Sequence, residues 1–157
     1  MVRKAEGITL IELMMVLSIF AIIAAFATPS LLSWRSNARL RGAAGNLKGD
    51  MELAKLKAIQ VNDTVVIHFT PESYQIFKDN VPTNGVYDAG EDLYGDRTLP
   101  PGVKIDLAKT DFSGQANASF KGRGTAAAGS AVLVNTTKAE RTVTVSALGK
   151  ITIKTGD

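Results

Sequence analysis

The chain has no cysteine, so it can build no disulfide, no thiol nucleophile and no cysteine-held zinc or iron–sulfur centre. It has one histidine, His68, which excludes an all-histidine metal site. Charge of one sign is scarcely in excess: 18 Lys and Arg against 15 Asp and Glu leave a net +3, too slight by itself to argue for nucleic acid. Gly122-Arg123-Gly124 with Gly129 fits neither a dinucleotide fingerprint nor a Walker A loop, and reads as a flexible connection between strands. No serine stands in a nucleophile motif with His68, and no two carboxylates sit at a spacing that argues acid–base chemistry. No enzymatic activity is expected. No internal repeat or low-complexity tract is visible. What remains is 157 residues, 45% apolar and 21% charged: enough for one compact domain and inconsistent with wholesale disorder. The apolar residues are very unevenly placed.

From Leu13 to Trp34 no residue carries a charge. As a helix this run can cross a bilayer core of about 30 Å, which needs roughly 20 apolar residues. Trp34 at its end suits a membrane interface. Three readings follow. The run is a plain membrane anchor. Or it is the core of a secretory signal, with Ala25-Phe26-Ala27 as cleavage site and a soluble domain starting at Thr28. Or Glu12 is the key. A carboxylate beside an apolar span is costly unless partnered. Cleavage between Gly7 and Ile8 would expose an α-amine on Ile8, and in a parallel assembly Glu12 of one copy could meet the amine of the next. Charge counting does not set orientation: Arg3 and Lys4 precede the span, while Arg35, Arg39 and Arg41 follow it.

Gly7-Ile8-Thr9-Leu10-Ile11-Glu12-Leu13-Met14-Met15-Val16 resembles the prepilin signature of type IV pilins and pseudopilins. The resemblance implies cleavage after Gly7, N-methylation of Ile8 (which stands where phenylalanine is usual), Glu12 as the assembly carboxylate, and Pro29 as the bend in the N-terminal helix. It also implies a cytoplasmic leader.

Beyond Trp34 the pattern stays helical. Leu40, Ala43, Ala44, Leu47, Met51, Ala54 and Ala58 recur at threes and fours, giving one apolar stripe. A single helix from about Ile8 to about Gln60 is expected, broken at Asn62-Asp63. From Thr64 the period becomes two, with Val65, Ile67 and Phe69 on one face and Val66 and His68 on the other. Further strands are expected at 74–78, 103–107, 118–120, 131–135, 142–146 and 150–154, the last pointing Ile151 and Ile153 at the core. Residues 79–101 read as the longest irregular stretch. The fold class is therefore α+β, a long N-terminal α-helix packed on one face of an antiparallel β-sheet. The expected organisation is a leader at 1–7, a transmembrane and assembly helix at 8–34, and a globular domain at 35–157.

Phe120, Gly124 and Gly129, the strand Ala131–Asn135, Arg141–Ser146 and Leu148-Gly149-Lys150 resemble the GspH/FimT family of minor pseudopilins and minor pilins. So do Asn84-Gly85, Asp88, Gly90, Glu91, Asp92 and Leu99–Val103. The resemblance implies a pilin-like fold and a structural subunit of a type II secretion pseudopilus. The alternative is a minor type IV pilin that primes pilus assembly or binds DNA. Implied partners are other pilins or pseudopilins, a prepilin peptidase, an inner-membrane assembly platform and, before assembly, membrane lipid. The implied location is the bacterial inner membrane, single-pass with the domain in the periplasm, and then a fibre.

Two side-chain groups are further candidates. Counting Asn80 as position one, Asn84, Asp88 and Glu91 fall at EF-hand-like positions five, nine and twelve, a candidate calcium set, although Pro82 at position three has no side-chain oxygen. The plainer reading is a solvated turn. No other cofactor is expected. Lys150 and Lys154 occupy the place of a DNA-binding element in some FimT-type pilins, though the arginines of that element are missing. The plainer reading is the solvent face of a strand.

Overall fold

The computed structural model describes residues 7–80 and 84–155, with side chains described at all of these except 26–29. Arg3, Lys4 and Pro82 lie outside the described residues. The chain forms two compact units, Met1–Arg35 and Ser36–Asp157. Helix α1, Leu10–Val61, is a 52-residue element that runs through both and is unbroken at position 29.

In the first unit α1 has a defined start. Thr9 is its N-cap, its Oγ1 accepting the Glu12 backbone N–H at 3.3 Å. Thr9-Leu10-Ile11-Glu12 thus has the spacing of a capping box. The described apolar side chains that follow are exposed on every side of the helix; Met15 and Phe20, for example, are each 65% exposed. Two serines within this stretch, Ser18 and Ser33, bond back to it. Ser18 donates to the Met14 carbonyl at 2.7 Å and Ser33 to the Ser30 carbonyl at 2.9 Å. Their hydroxyls are thereby satisfied without water.

In the second unit α1 is one-sided. Leu40, Ala43, Ala44, Leu47, Met51, Ala54 and Ala58 are all buried, the stripe that the periodicity predicts. The helix ends in a Schellman motif. Asn62 adopts φ 50°, its N–H donates to the Ile59 carbonyl at 3.3 Å, and Asp63 N–H donates to the Ala58 carbonyl at 3.1 Å. Gly122 packs against this end: a Cβ there would lie 2.7 Å from the Asn62 carbonyl carbon.

Among the described residues nine strands follow: β1 Val65–Phe69, β2 Ser73–Lys78, β3 Leu93–Thr98, β4 Val103–Ile105, β5 Asp111–Phe112, β6 Ala118–Phe120, β7 Gly129–Asn135, β8 Glu140–Val145 and β9 Ile151–Thr155. They make two antiparallel sheets rather than the single sheet expected. The first has the order β3-β2-β1-β6 and the second β4-β7-β8-β9, with β5 also paired to β7. The helical stripe shares one core with side chains of both sheets, among them Ile67, Ile76, Phe112, Phe120, Leu133 and Val143. Polar contacts fix the helix on this core. Asp50 accepts the Tyr74 hydroxyl at 2.7 Å and pairs with Arg97 Nε at 3.4 Å. Lys55 Nζ donates to the Gly149 carbonyl at 2.9 Å. Burial and the Asp50 carboxylate push the Tyr74 phenol well above its ordinary range.

Two expectations are corrected, at residues 79–101 and at Ile153. Residues 79–101 are not wholly irregular, because β3 lies within them on the edge of the first sheet. The face that Val66 shares with His68 is covered as well: Val66 is 3% exposed. Its cross-strand partner Phe77 is also buried and meets the Tyr87 ring edge-on at 5.7 Å. The segment before β3 therefore covers the second face of the sheet. Ile153 is 38% exposed; only Ile151 of that pair reaches the core.

Candidate processing and assembly site

Gly7 and Ile8 precede the first helical turn, and both are exposed. Gly7 has open space where a Cβ would be. The Gly7–Ile8 bond lies just ahead of the helix N-cap, between two exposed residues. Glu12 sits in the first turn with an exposed side chain. Its negative charge there complements the unpaired N–H groups of the helix start. Among the described residues its carboxylate makes no ion pair. The helix beyond it is long and apolar enough to cross a membrane. Gly7, Ile8 and Glu12 thus stand together, all exposed, at one end of an apolar rod. Pro29 lies in helical backbone.

The acidic loop has a different organisation from a metal cage. The Glu91 carboxylate accepts the Asn80 N–H at 2.8 Å and the Asp88 N–H at 2.9 Å. Asn84 donates to Asp88 at 3.0 Å, and its own amide oxygen caps the Val86 N–H at 2.8 Å. Asn80, Asn84, Asp88 and Glu91 are thus brought together, but largely to satisfy one another and the loop backbone. Among the described residues no three His, Cys, Asp or Glu side chains converge as a metal set. Lys150 and Lys154 are both exposed, one preceding β9 and one near its end.

The type II transport protein GspH family matches residues 43–149. The chain belongs to this family. The prokaryotic N-terminal methylation motif matches residues 2–28, which include Gly7, Ile8 and Glu12. No curated protein is a significant sequence match. Solved structures are similar in fold. The minor pseudopilin EpsH of the type 2 secretion system of Vibrio cholerae superposes with a TM-score of 0.55 at 12% identity, covering 74% of this chain and 97% of that one. The solution structure of Escherichia coli GspH gives 0.58 at 18% identity over 76% and 90%. The type IV minor pilin FimU of Pseudomonas aeruginosa gives 0.54 at 16% identity over 73% and 92%.

Within this GspH-family chain, the motif reading overlooked Thr9. Its signal was present: a threonine three residues before a glutamate and an apolar run. Asp79 belongs to the same acidic segment but falls outside the EF-hand-like count, and it is 6% exposed. Its Oδ2 accepts the Gly85 N–H at 3.3 Å. Gly85 returns its carbonyl to the Asn117 amide at 2.8 Å, and the Asn117 oxygen lies 3.0 Å from His68 Nδ1. Gly85 has φ +74° and no room for a Cβ, which would fall 2.6 Å from Asn117 Nδ2. Nothing local in the sequence pairs residues 79 and 117.

Proposed function

We propose that this GspH-family chain is a minor pseudopilin, a structural subunit of a type II secretion pseudopilus. Its work is assembly rather than catalysis. A prepilin peptidase cuts after Gly7, and Ile8 becomes the methylated first residue. The apolar helix holds the subunit in the inner membrane, single-pass, with the globular domain in the periplasm. An assembly platform then transfers it into a fibre, where the helix leaves lipid for the apolar helices of other pilin-like subunits. Glu12 sets the register by pairing with the free amine of a neighbour.

The observation that carries this reading is the exposed apolar helix with its first-turn carboxylate directly behind Gly7-Ile8. Among the described residues no other helical stretch leaves so much apolar surface uncovered. Membrane and fibre are the two environments in which such a surface is stable. The test is the intact mass and N-terminal sequence of the protein recovered from membranes. A methylated N-terminus at Ile8 is expected. An N-terminus at Thr28, or an intact Met1, overturns the proposal.

The same fold serves a minor type IV pilin, as the likeness to FimU illustrates. Binding of short duplex DNA at moderate salt, lost in Lys150→Ala and Lys154→Ala, would favour a pilin of DNA uptake. Retention of a secretion substrate in cells lacking the subunit would favour the pseudopilus.

A further inference from the structure

Leu148 is 82% exposed, more than any other large apolar side chain among the described residues. It stands at the tip of the turn between β8 and β9, and that turn is fixed. The Gly149 N–H donates to the Ser146 carbonyl at 2.8 Å, and the Ser146 N–H donates to the Lys150 carbonyl at 2.9 Å. Beneath the turn, Lys55 Nζ holds the Gly149 carbonyl. Gly149 has φ +70°, and a Cβ on it would fall 2.3 Å from the Gly124 carbonyl oxygen. An apolar side chain on such a turn is already ordered, so a partner that covers it gains the burial without first having to order a loop. Leu148 is not isolated. Ile59 lies beside Gly124, where a Cβ would come within 3.3 Å of its Cδ1. Ile59 and Leu56, one turn earlier on α1, are both exposed. Arg123 and Lys150 adjoin the two glycines in the chain, and both are exposed, as is Lys121. Among the described residues none of these three cations pairs with a carboxylate.

The same chain carries the opposite surface on its other flank. Lys55 and Lys57 stand two residues apart on α1, about 200° around its axis. Lys55 reaches the β8–β9 turn, whereas Lys57 Nζ lies 5.6 Å from the centroid of the Tyr94 ring in β3. β3, the edge of the first sheet, therefore flanks α1 on the side away from Leu148. There Leu93 and, in the preceding loop, Val86 are exposed. Asp92 and Asp96 are exposed acids with no ion pair among the described residues. The nearby cations are engaged elsewhere: Lys78 pairs with Asp63 and Arg97 with Asp50. We propose that the Leu148 turn of one copy docks on the β3 surface of a second copy. Leu148 and Ile59 meet Leu93 and Val86, while Arg123 and Lys150 meet Asp92 and Asp96. The occupant is a second copy because one chain presents both an apolar surface rimmed by unpaired cations and an apolar surface rimmed by unpaired acids. Charge complementarity draws the unlike surfaces together and disfavours like against like. Since the two surfaces differ, the contact is heterologous, and each copy in a row keeps one of them free for the next. Every residue involved lies in the second unit, so the inference stands independently of the pseudopilin reading.

The experiment uses the full chain in membranes, with two differently tagged copies expressed together and a short bismaleimide as crosslinker. The chain has no cysteine, so each introduced thiol reports one position. Leu148→Cys in one copy and Leu93→Cys in the other are expected to join, and two copies of Leu148→Cys are expected to join far less. Arg123→Glu with Lys150→Glu in the first copy is expected to abolish the product, and Asp92→Lys with Asp96→Lys in the second to restore it. Absence of the product between Leu148→Cys and Leu93→Cys overturns the proposal. So does an equal yield between Leu148→Cys and Leu107→Cys, an exposed position outside both surfaces, which would mark chance encounter. An equal yield between two copies of Leu148→Cys would make the contact symmetric, and a yield indifferent to charge reversal would remove its electrostatic basis; either overturns it. Joining of Leu148→Cys to a different polypeptide in place of the second copy overturns it as well. Should Leu93→Cys not fold, Val86→Cys takes its place and the same outcomes decide.

Discussion

The two halves of α1 share a backbone conformation and almost nothing else. From Leu10 to Trp34 the apolar side chains point in all directions and none is buried among the described residues. From Leu40 to Ala58 they keep to one stripe, and that stripe is covered by two sheets. A helix that is apolar all round is stable only in lipid or among other apolar helices, whereas a one-sided helix is stable on its own core. The difference separates two tasks within one element: residues of the first half serve an environment outside the monomer, and residues of the second serve the fold.

Changing a single group in each half breaks this comparison in different ways. The largest effect is expected from Glu12→Ala. Cleavage at Gly7 should persist, incorporation into assembled fibres should be lost, and the unfolding curve of the globular unit should not move. Normal recovery of the variant in sheared fibres would contradict the pairing of Glu12 with a neighbouring amine. Next is Leu47→Ala, which empties a fully buried position and should cost about 2–5 kcal/mol in denaturant unfolding. Phe20→Ala, an equally drastic truncation in the first half, should leave that unfolding unchanged. Equal losses for both would mean that the two halves are not energetically distinct.

A smaller effect of opposite sign is expected at Gly45. A Cβ there has open space, and alanine is the better helix former by roughly 1 kcal/mol, so Gly45→Ala should raise the midpoint of unfolding. The smallest effect is electrostatic and lies just past the helix end. The Thr64 backbone N–H, at 2.8 Å, and the Lys78 ammonium hold the Asp63 carboxyl below its ordinary range. A group depressed on folding stabilises above its unfolded pKa and loses that contribution as pH falls through the folded value. Asp63→Asn should therefore lower stability slightly at neutral pH and converge with the unmodified chain in acid. Asp63 is exposed, so the gap should narrow in high salt.

Much of this was legible because the signals are local. The stripe from Leu40 to Ala58 repeats every three or four residues, and its burial follows from that period. The strands with alternating Val, Ile and Thr, such as β8, are legible for the same reason. β3 was not. Leu93, Tyr94, Gly95, Asp96, Arg97 and Thr98 form an edge strand with little buried surface and charges in its pattern; it exists because β2 offers it a free edge. The two-residue β5 has no period at all. The burial of Val66 was not legible, because strand alternation tells which face a side chain takes but not what covers that face. Among the candidate site residues, Gly7, Ile8, Glu12 and Thr9 lie within one short motif. Asp79 and Asn117 come together only through Gly85 and the sheet.

The sequence by itself determined that an apolar rod begins behind Gly7-Ile8, carries one acid at Glu12 and becomes one-sided past Trp34. Those properties depend on neighbours one helical turn apart. Only the tertiary structure decided that the strands divide into two sheets, that a returning loop closes over Val66 and Phe77, and that Asp79 is shut away from water. Those properties depend on segments far apart in the chain meeting in space, and no local period encodes which of them will meet.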